Sequence, residues 1–474
     1  MLSEEQTPST IIEIIKEEAA APYYRWTKQF KSGIIRYYQM FNKPRIFVSS
    51  STALRRIFGT HSHLYGKDPT SFEAINRFLG KGLLTIEDSF HKRQRGIINP
   101  IFRVKHINCL IPTFILSAQE LMKSWDSTLK ASQSKDIQFE LSGEMSKPTL
   151  DVIGRAGFGY DFESVNNGES PLYHSYTVAL SSFTLAEALI NNLAPFLNWI
   201  LPSRRAKRAK LESIRLEIRS QCELILQARK DAIKAGDETA TDLLTVLLKA
   251  NASEDEKNRL NDEEVMAQVM TFLAAGHETT SVALTWTIDF LANNPRAQSK
   301  LREELREQLQ ERESEPSVEY VTSTNTYLDA VCKESLRLVP PAPITNRITV
   351  EDDLLDGYRI PKGTVVLVSP AVNHRLEEYW GADALEFKPE RWISSADNTE
   401  DSDSRRPFGA YMPFLLGPRN CIGQRFAILE MKAILAVLVR GFEFVKVEGQ
   451  VIKKKLRLTW KPEPGLQMIV KRVS

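Results

Sequence analysis

Cysteine is scarce in this 474-residue chain, and its few copies are scattered. Cys109, Cys222, Cys332 and Cys421 show no CxxC spacing, which argues against a zinc or iron–sulfur framework and against a disulfide-built secreted domain. The formal net charge is only +2, so no binding to nucleic acid is expected. With 42% hydrophobic and 26% charged residues, the chain has the composition of a soluble globular protein.

Long uninterrupted hydrophobic runs are also missing. Residues 1–25 carry acidic side chains and no apolar run, so neither a signal peptide nor a membrane span is expected there. The most apolar region, residues 185–210, is interrupted by three asparagines and a proline and ends in five basic residues. It is interpreted either as helices with a solvated basic face or as a segment lying on an anionic membrane surface.

Hydrophobic periodicity indicates the fold class. Helical patterning dominates from about residue 69 to 340, whereas alternation typical of strands is confined to residues 45–50, residues 358–370 and the C-terminal region. That last region is predicted to form two strands around a Pro-Glu-Pro-Gly turn. We therefore predict a mainly α fold with small β-sheets, built by residues 1–474 as one domain in which residues 1–40 are an N-terminal segment.

The longest predicted helix has an unusually small face. Asn261 is a plausible N-cap with Glu264 at the capping-box position, and the pattern ends before Pro295. One face in the middle of this helix carries Phe272, Ala275, Gly276, Thr279 and Ala283. Such a face permits either close helix packing or contact with a flat ligand. The polar run that follows Gly276 needs partners or a function inside an apolar segment.

Cys421 has the most informative setting of the four cysteines. It lies between Gly417 and Gly423, two residues after Arg419, where an apolar helical pattern begins. The glycines allow backbone conformations and close approaches that a Cβ would forbid. The helix N-terminus and Arg419 favour the thiolate, which is the form that binds metals. A buried structural cysteine is the alternative, but the spacing Phe-x-x-Gly-x-Arg-x-Cys-x-Gly arises by chance only about once in ten thousand such chains.

This spacing resembles the haem-binding signature of the cytochrome P450 superfamily, the haem-thiolate monooxygenases. Its fixed positions are Phe414, Gly417, Arg419, Cys421 and Gly423.

Other segments carry the same resemblance. "AGHETT" (275–280) is similar to the oxygen-activating motif of the family, "ESLR" to its Glu-x-x-Arg pair, and "PERW" supplies a further arginine. "HKRQR" resembles the Trp-x-x-x-Arg segment, with His91 in place of tryptophan and Arg95 retained. The motifs are most similar to microsomal, fungal members. Those members usually carry an N-terminal membrane anchor, which we expect to be either removed or naturally absent here.

The resemblance implies a role for each candidate site residue. The long helix would pass over haem b, with Cys421 as the iron ligand and Ala275 and Gly276 against the ring. The resemblance places Phe414, Gly417 and Gly423 in the cysteine loop. Haem propionates would be held by His91, Arg95, Arg347 and Arg419. Thr279 would hold dioxygen and an ordered water, Glu278 would relay protons, and Gly276 would let the helix open locally.

The resemblance also implies structural and pocket residues. Glu334, Arg337 and Arg391 would form a buried network behind the cysteine loop. The substrate pocket would be lined by Leu83, Leu84, Phe183, Phe272, Ala275, Ala342, Pro343 and Ile344, each of which could instead be ordinary core.

The implied function is insertion of one oxygen atom from O2 into a lipophilic small molecule, by hydroxylation or epoxidation, in secondary metabolism. Electrons would come from NADPH through a flavoprotein reductase docked on Lys92, Arg93, Arg425 and Lys432. A monomer on the cytoplasmic side, in peripheral contact with the endoplasmic reticulum membrane, is expected. The alternatives are a haem-thiolate isomerase or dehydratase that activates no O2, and a non-catalytic haem-binding protein. The Glu278–Thr279 pair favours the monooxygenase.

Overall fold

The computed structural model describes residues 18–39, 43–167, 201–237, 241–255, 258–308, 316–393 and 406–473, together with single positions between 168 and 200. Helices make up most of this part of the chain. In chain order they are α1 (Ala21–Phe30), α2 (Ser51–Arg55), α3 (Pro69–Leu79), α4 (Asp88–Ile98), α5 (Val104–Cys109), α6 (Ile111–Ser132), α7 (Leu141–Val152), α8 (Pro202–Lys234), α9 (Leu243–Ser253), α10 (Asp262–Asn293), α11 (Pro295–Gln308), α12 (Val318–Thr322), α13 (Tyr327–Leu338), α14 (Pro370–Asn373), α15 (Glu377–Trp380) and α16 (Gln424–Gly441).

The strands are short and form four small sheets. They are β1 (Ile34–Gln39), β2 (Lys43–Val48), β3 (Tyr65–Gly66), β4 (Asp136–Glu140), β5 (Thr345–Thr349), β6 (Asp353–Leu355), β7 (Tyr358–Ile360), β8 (Val365–Val368), β9 (Phe442–Lys446), β10 (Lys453–Leu456), β11 (Trp460–Glu463) and β12 (Gln467–Arg472). Five strands join in the order β1-β2-β8-β5-β3, three in the order β4-β12-β9, and β10-β11 and β6-β7 form pairs.

The C-terminal region differs from the predicted pair of strands. It contains three strands, because β10 pairs with β11 while β12 pairs with β9 and β4. Strand β12 buries Met468 and Val470 in the main core, whereas β11 buries Trp460 in a second apolar cluster. The strands predicted within residues 45–50 and 358–370 are confirmed as β2, β7 and β8.

Helix α10 is the centre of the molecule. Its predicted capping box is confirmed: Glu264 N–H donates to Asn261 Oδ1 at 2.9 Å, and Asn261 N–H donates to Glu264 Oε2 at 3.0 Å. The helix runs for 32 residues, and most of its side chains are buried. Apolar residues of α6, α7, α10, α13 and α16 share one hydrophobic core. A helix buried on nearly all sides is a rigid support for groups on its remaining open face.

The predicted Glu–Arg–Arg network supports the chain behind Cys421. Arg337 donates to both carboxylate oxygens of Glu334, at 2.8 and 2.9 Å, and Arg391 Nε donates to Glu334 Oε1 at 2.8 Å. His374 extends the network, since its Nδ1 bonds to Arg337 O at 3.0 Å and its Nε2 accepts from Met412 N–H at 2.8 Å. Burial lowers the pKa of His374 to about 3, so a neutral imidazole joins α13 to the segment that leads to the cysteine.

None of the helices in the described ranges is both long and apolar enough to cross a lipid bilayer.

Candidate functional site around Cys421

The cysteine loop is a tight turn that enters helix α16. Cys421 N–H donates to Phe414 O at 2.8 Å. Gly417 has φ +74°, and a Cβ there would lie 1.7 Å from Phe58 O, so only glycine fits this position. Among protein atoms the same expectation is wrong for Gly423, which has φ −86° and whose added Cβ would make only an ordinary 3.8 Å contact with Phe102. The loop therefore depends on Gly417 for its course.

Cys421 is accessible at its surface but lies in a desolvated part of the protein. Its side chain is accessible, yet it is so far inside the protein that burial raises the pKa of the thiol, while Gly423 N–H and Arg95 act to lower it. The expected thiolate is thus not favoured by the protein alone. Metal coordination removes the thiol proton, and a cysteine held at a helix N-terminus on an open cleft is suited to it.

Arg419 is not the cation that acts on Cys421. Its guanidinium pairs with Glu87 at 2.7 Å and donates to Ser62 O at 2.9 Å. Arg95 takes that place, because its charge acts to lower the pKa of the Cys421 thiol. Arg95 also donates to both the backbone and the side-chain oxygen of Asn420, at 2.7 and 2.8 Å. These bonds tie helix α4 to the residue that precedes the cysteine.

The residues predicted to hold haem propionates form one cationic cluster. Burial, together with the positive charges of Lys67, Arg419, Arg95 and Arg347, lowers the pKa of His91 to about 4, so His91 is a neutral member among these cations.

Among the residues that the structure describes, the cluster carries more positive charge than the neighbouring carboxylates balance. Burial lowers the pKa of Arg347 to about 10 and that of Lys67 to about 8. Glu87 is the carboxylate that acts on both. Partly desolvated cations without enough acids are suited to an anionic ligand. A haem with two propionates fits these residues, because its carboxylates would restore the charge balance.

The small face of α10 borders an open space only in part. Ala275 is exposed and Thr279 half-buried, whereas Phe272 and Ala283 are buried. Thr279 Oγ1 donates to Ala275 O at 2.8 Å. The helix is continuous at Gly276, so the local opening predicted there is absent from this structure, and an added Cβ would lie 2.8 Å from Ile153 Cδ1. Glycine serves close packing at this position.

The side chain of Glu278 has different partners from that of Thr279. Its Oε1 accepts from Thr459 Oγ1 at 3.0 Å and lies 2.8 Å from Lys461 Nζ. Its side chain is 5% exposed and that of Lys461 26% exposed, so the pair joins a buried carboxylate to the surface. The sequence did not reveal this ion pair, and the predicted proton relay through Glu278 stays a prediction.

The predicted pocket residues differ in how deeply they are buried. Leu83, Phe272 and Pro343 are buried, Leu84 and Ile344 are half-buried, and Ala342 is exposed. Phe183 lies outside the described residues.

Two charged residues of α16 have structural roles that were not predicted from the sequence. Lys432, predicted to dock a reductase, is 1% exposed, pairs with Asp329 at 3.2 Å and donates to Ser323 O at 2.5 Å. It is therefore not a docking residue. Glu430 is fully buried, and burial raises the pKa of its carboxyl group well above the usual range. Both residues occupy apolar positions of the helical pattern of α16, and this placement was the sequence signal that could have predicted their burial.

The comparisons with known proteins agree with this geometry. The family model described as cytochrome P450 matches residues 11–470. The chain belongs to the cytochrome P450 family. Cytochrome P450 monooxygenase 205 of Postia placenta is 35% identical over 479 residues, which cover 95% of this chain and 86% of that protein. Cytochrome P450 monooxygenase claP of Ampulloclitocybe clavipes is 32% identical over 95% of this chain and 86% of its own length.

A solved structure shows the same fold. The crystal structure of the cytochrome P450DA heme domain superposes with a TM-score of 0.82 at 23% identity, over 98% of this chain and 95% of that one. It confirms the mainly α fold, while the family model and the relatives confirm the predicted family and the monooxygenase class. As a cytochrome P450, the chain uses a haem cofactor.

Proposed function

We propose that this cytochrome P450 inserts one oxygen atom from O2 into a lipophilic small molecule, using electrons that NADPH supplies through a flavoprotein reductase. The observation that carries the proposal is the accessible Cys421 at the start of α16, on which Arg95 of the cationic cluster acts. The accessible part of the α10 face adds to it. Haem bound there by a cysteine thiolate supplies the iron chemistry that breaks the O–O bond.

The residues of the cleft divide the remaining work. Cys421 is proposed as the iron ligand, and the cationic cluster as the partner of the haem carboxylates. Thr279 offers a hydroxyl that can both donate and accept a hydrogen bond on the open face of α10. Glu278 and Lys461 offer a route by which protons reach that helix from the surface.

The reductase is proposed to dock on the side of α4 and α5. Lys92, Arg103 and Lys105 are exposed there, and Arg425 at the start of α16 adjoins them by donating to Asn108 at 2.9 Å. Arg93 is occupied by an ion pair with Glu264. An acidic partner surface would be attracted to this side, which leads directly to the cysteine loop.

Membrane contact is proposed for the region around the start of α8. Phe196 and Ile200 are 57% and 67% exposed, and the basic residues that begin α8 are mostly exposed as well. Apolar side chains beside cations suit an anionic membrane surface, here the cytoplasmic face of the endoplasmic reticulum. We further propose that residues 1–474 act as one domain and as a monomer, in fungal-type secondary metabolism.

Purified haem-loaded protein with NADPH and a flavoprotein reductase tests the proposal. Lipophilic compounds are first screened for displacement of the haem water ligand, seen as a spectral shift. Those that bind should then yield a product that carries one 18O atom from 18O2. Product without NADPH from a hydroperoxide would instead support the isomerase or dehydratase. Haem binding without turnover of any bound compound would support a binding protein.

A further inference from the structure

The N–H and the C=O of Leu83 are both hydrogen-bonded to side chains from other parts of the chain. Leu83 N–H donates to Gln268 Oε1 of helix α10 at 3.1 Å, and Lys67 Nζ donates to Leu83 O at 3.0 Å. Gln268 is fully buried. A loop residue clamped on both sides in this way has little freedom to move.

The orientation of Gln268 is itself fixed. Its Nε2 donates to Gln94 Oε1 at 2.7 Å, and Gln94 Nε2 donates to Lys81 O at 3.3 Å and to Glu264 Oε1 at 3.2 Å. Each amide has one donating and one accepting end, so turning either amide would place like groups together. The relay therefore presents an acceptor to Leu83 and nothing else.

The clamped loop, residues 80–87, spans the site from α10 to the cysteine loop. A Cβ on Gly82 would lie 2.7 Å from Thr271 Oγ1 and 2.9 Å from Ala267 O, so the loop lies directly on the central helix. At the other end Glu87 pairs with Arg419 at 2.7 Å. The loop thus contacts the central helix at one end and the cationic cluster at the other, and it carries Leu83 and Leu84, which the resemblance assigns to the substrate pocket.

We propose that Gln268 is a positioning residue that holds residues 80–87 as a rigid wall of the substrate pocket, and that it thereby limits the bulk of the lipophilic molecule admitted beside Leu83 and Leu84. The proposal rests on the proposed function, since it concerns the same pocket. In this proposal, the size of the accepted substrate depends on the buried Gln94–Gln268 amide relay as well as on the apolar side chains of the loop.

Gln268→Leu, which keeps the volume and removes both hydrogen bonds, is the test. In haem-loaded protein, hydrogen–deuterium exchange of residues 81–86 should accelerate about tenfold or more, because Leu83 N–H loses its acceptor. Imidazole and 4-phenylimidazole are then compared by their haem spectral shifts with a bulky diphenylmethyl imidazole. Binding of the bulky probe should change at least about fivefold relative to imidazole, whose own affinity should stay constant.

Gln298→Leu is the matched control. Gln298 is another buried glutamine and lies on α11. Its Oε1 accepts from Phe444 N–H at 2.8 Å, and its Nε2 donates to Phe444 O at 3.0 Å. Its loss should lower stability without altering either the exchange of residues 81–86 or the ratio of probe affinities. If the control shifted that ratio equally, the effect would be global and the proposal would be wrong.

Gln94→Leu is the second variant, used if Gln268→Leu does not retain haem. It frees the Gln268 amide to turn and should produce the same changes. Unchanged exchange and an unchanged affinity ratio in the folded variant would overturn the proposal. Absence of haem binding in the unmodified protein would instead refute the proposed function, while the exchange measurement would still decide whether Gln268 holds the wall.

Discussion

Ile153 occupies the space that a Cβ on Gly276 would need, with its Cδ1 2.8 Å from the position of that atom. Ile153 begins the π-helical turn Ile153–Phe158 that follows α7, and α10 crosses this turn at its glycine. At Gly276 the position of α10 is therefore fixed by close packing against Ile153. Ala275 and Thr279 lie on the more accessible side of the same helix.

Gly276→Ala should destabilise the protein by about 1–3 kcal/mol in urea unfolding. Overpacking against Ile153 costs that much and outweighs the gain of about 1 kcal/mol from replacing glycine inside a helix. In an Ile153→Ala background the clash is relieved, so the same substitution should be neutral or stabilising. An equal loss in both backgrounds would show that Ile153 is not the cause.

Local signals account for what could be predicted from the sequence. The ends of α10, its capping box and the cysteine spacing are all encoded within a few residues of where they act. The assignment of Gly276 to a ligand face was incomplete, because the face divides between the cleft and Ile153. Which neighbour a small residue meets depends on a helix more than one hundred residues away.

Long-range partners could not be predicted. Lys67, Glu87 and Lys461 carry no motif of their own, and each acquires its role from a residue distant in sequence: Lys461 pairs with Glu278 and Glu87 with Arg419. Arg419 lies two residues from Cys421, yet it points to Glu87, while Arg95 from α4 bonds to Asn420. Proximity along the chain was a poor guide to electrostatic contact.

Lys461→Met should cost about 1–3 kcal/mol, because it leaves the buried Glu278 carboxylate without its cation. Lys455→Met is the control: Lys455 lies opposite on strand β10 and pairs with Glu463, where both side chains are more than 40% exposed. Exposed pairs contribute about 0–1 kcal/mol. Urea unfolding of the two variants should therefore differ, and equal losses would remove the special role of the Glu278 pair.

Glu430→Gln should stabilise the protein increasingly as pH rises. Burial raises the pKa of Glu430, so above the usual glutamate range the folded state holds a proton that the unfolded chain releases, and stability falls with rising pH. Glutamine removes this cost, so its gain at pH 8 should exceed that at pH 5 by at least about 1 kcal/mol. Exposed Glu448→Gln should stay within about 0.5 kcal/mol at both values. A pH-independent difference would contradict the assignment.

Cys421→Ala should abolish the thiolate-type carbon monoxide band near 450 nm that is typical of this family, leaving apoprotein or a haem without that band. Cys332→Ala should retain it, since Cys332 is buried in the core and burial raises the pKa of its thiol to about 12. Carbon monoxide difference spectra of both variants provide the measurement. Retention of the band in the first variant and its loss in the second would reverse the assignment.

Thr279→Ala should separate electron consumption from product formation. Thr279 is half-buried on the open face of α10, where alanine fits and favours the helix slightly, so haem and substrate binding should persist. A positioned proton donor contributes about 10²–10⁴ in rate, so product formed per NADPH should fall at least about tenfold while hydrogen peroxide accumulates.

Thr285→Ala makes this test specific. Thr285 lies on the same helix and likewise donates to the carbonyl four residues earlier, Ser281 O, at 2.8 Å, but it is fully buried. Losing this hydroxyl should affect stability and leave the product-to-NADPH ratio intact. The two variants thus compare a hydroxyl on the accessible part of the α10 face with one in the core. A normal ratio in Thr279→Ala would remove that hydroxyl from proton delivery and favour the isomerase, for which no such delivery is needed.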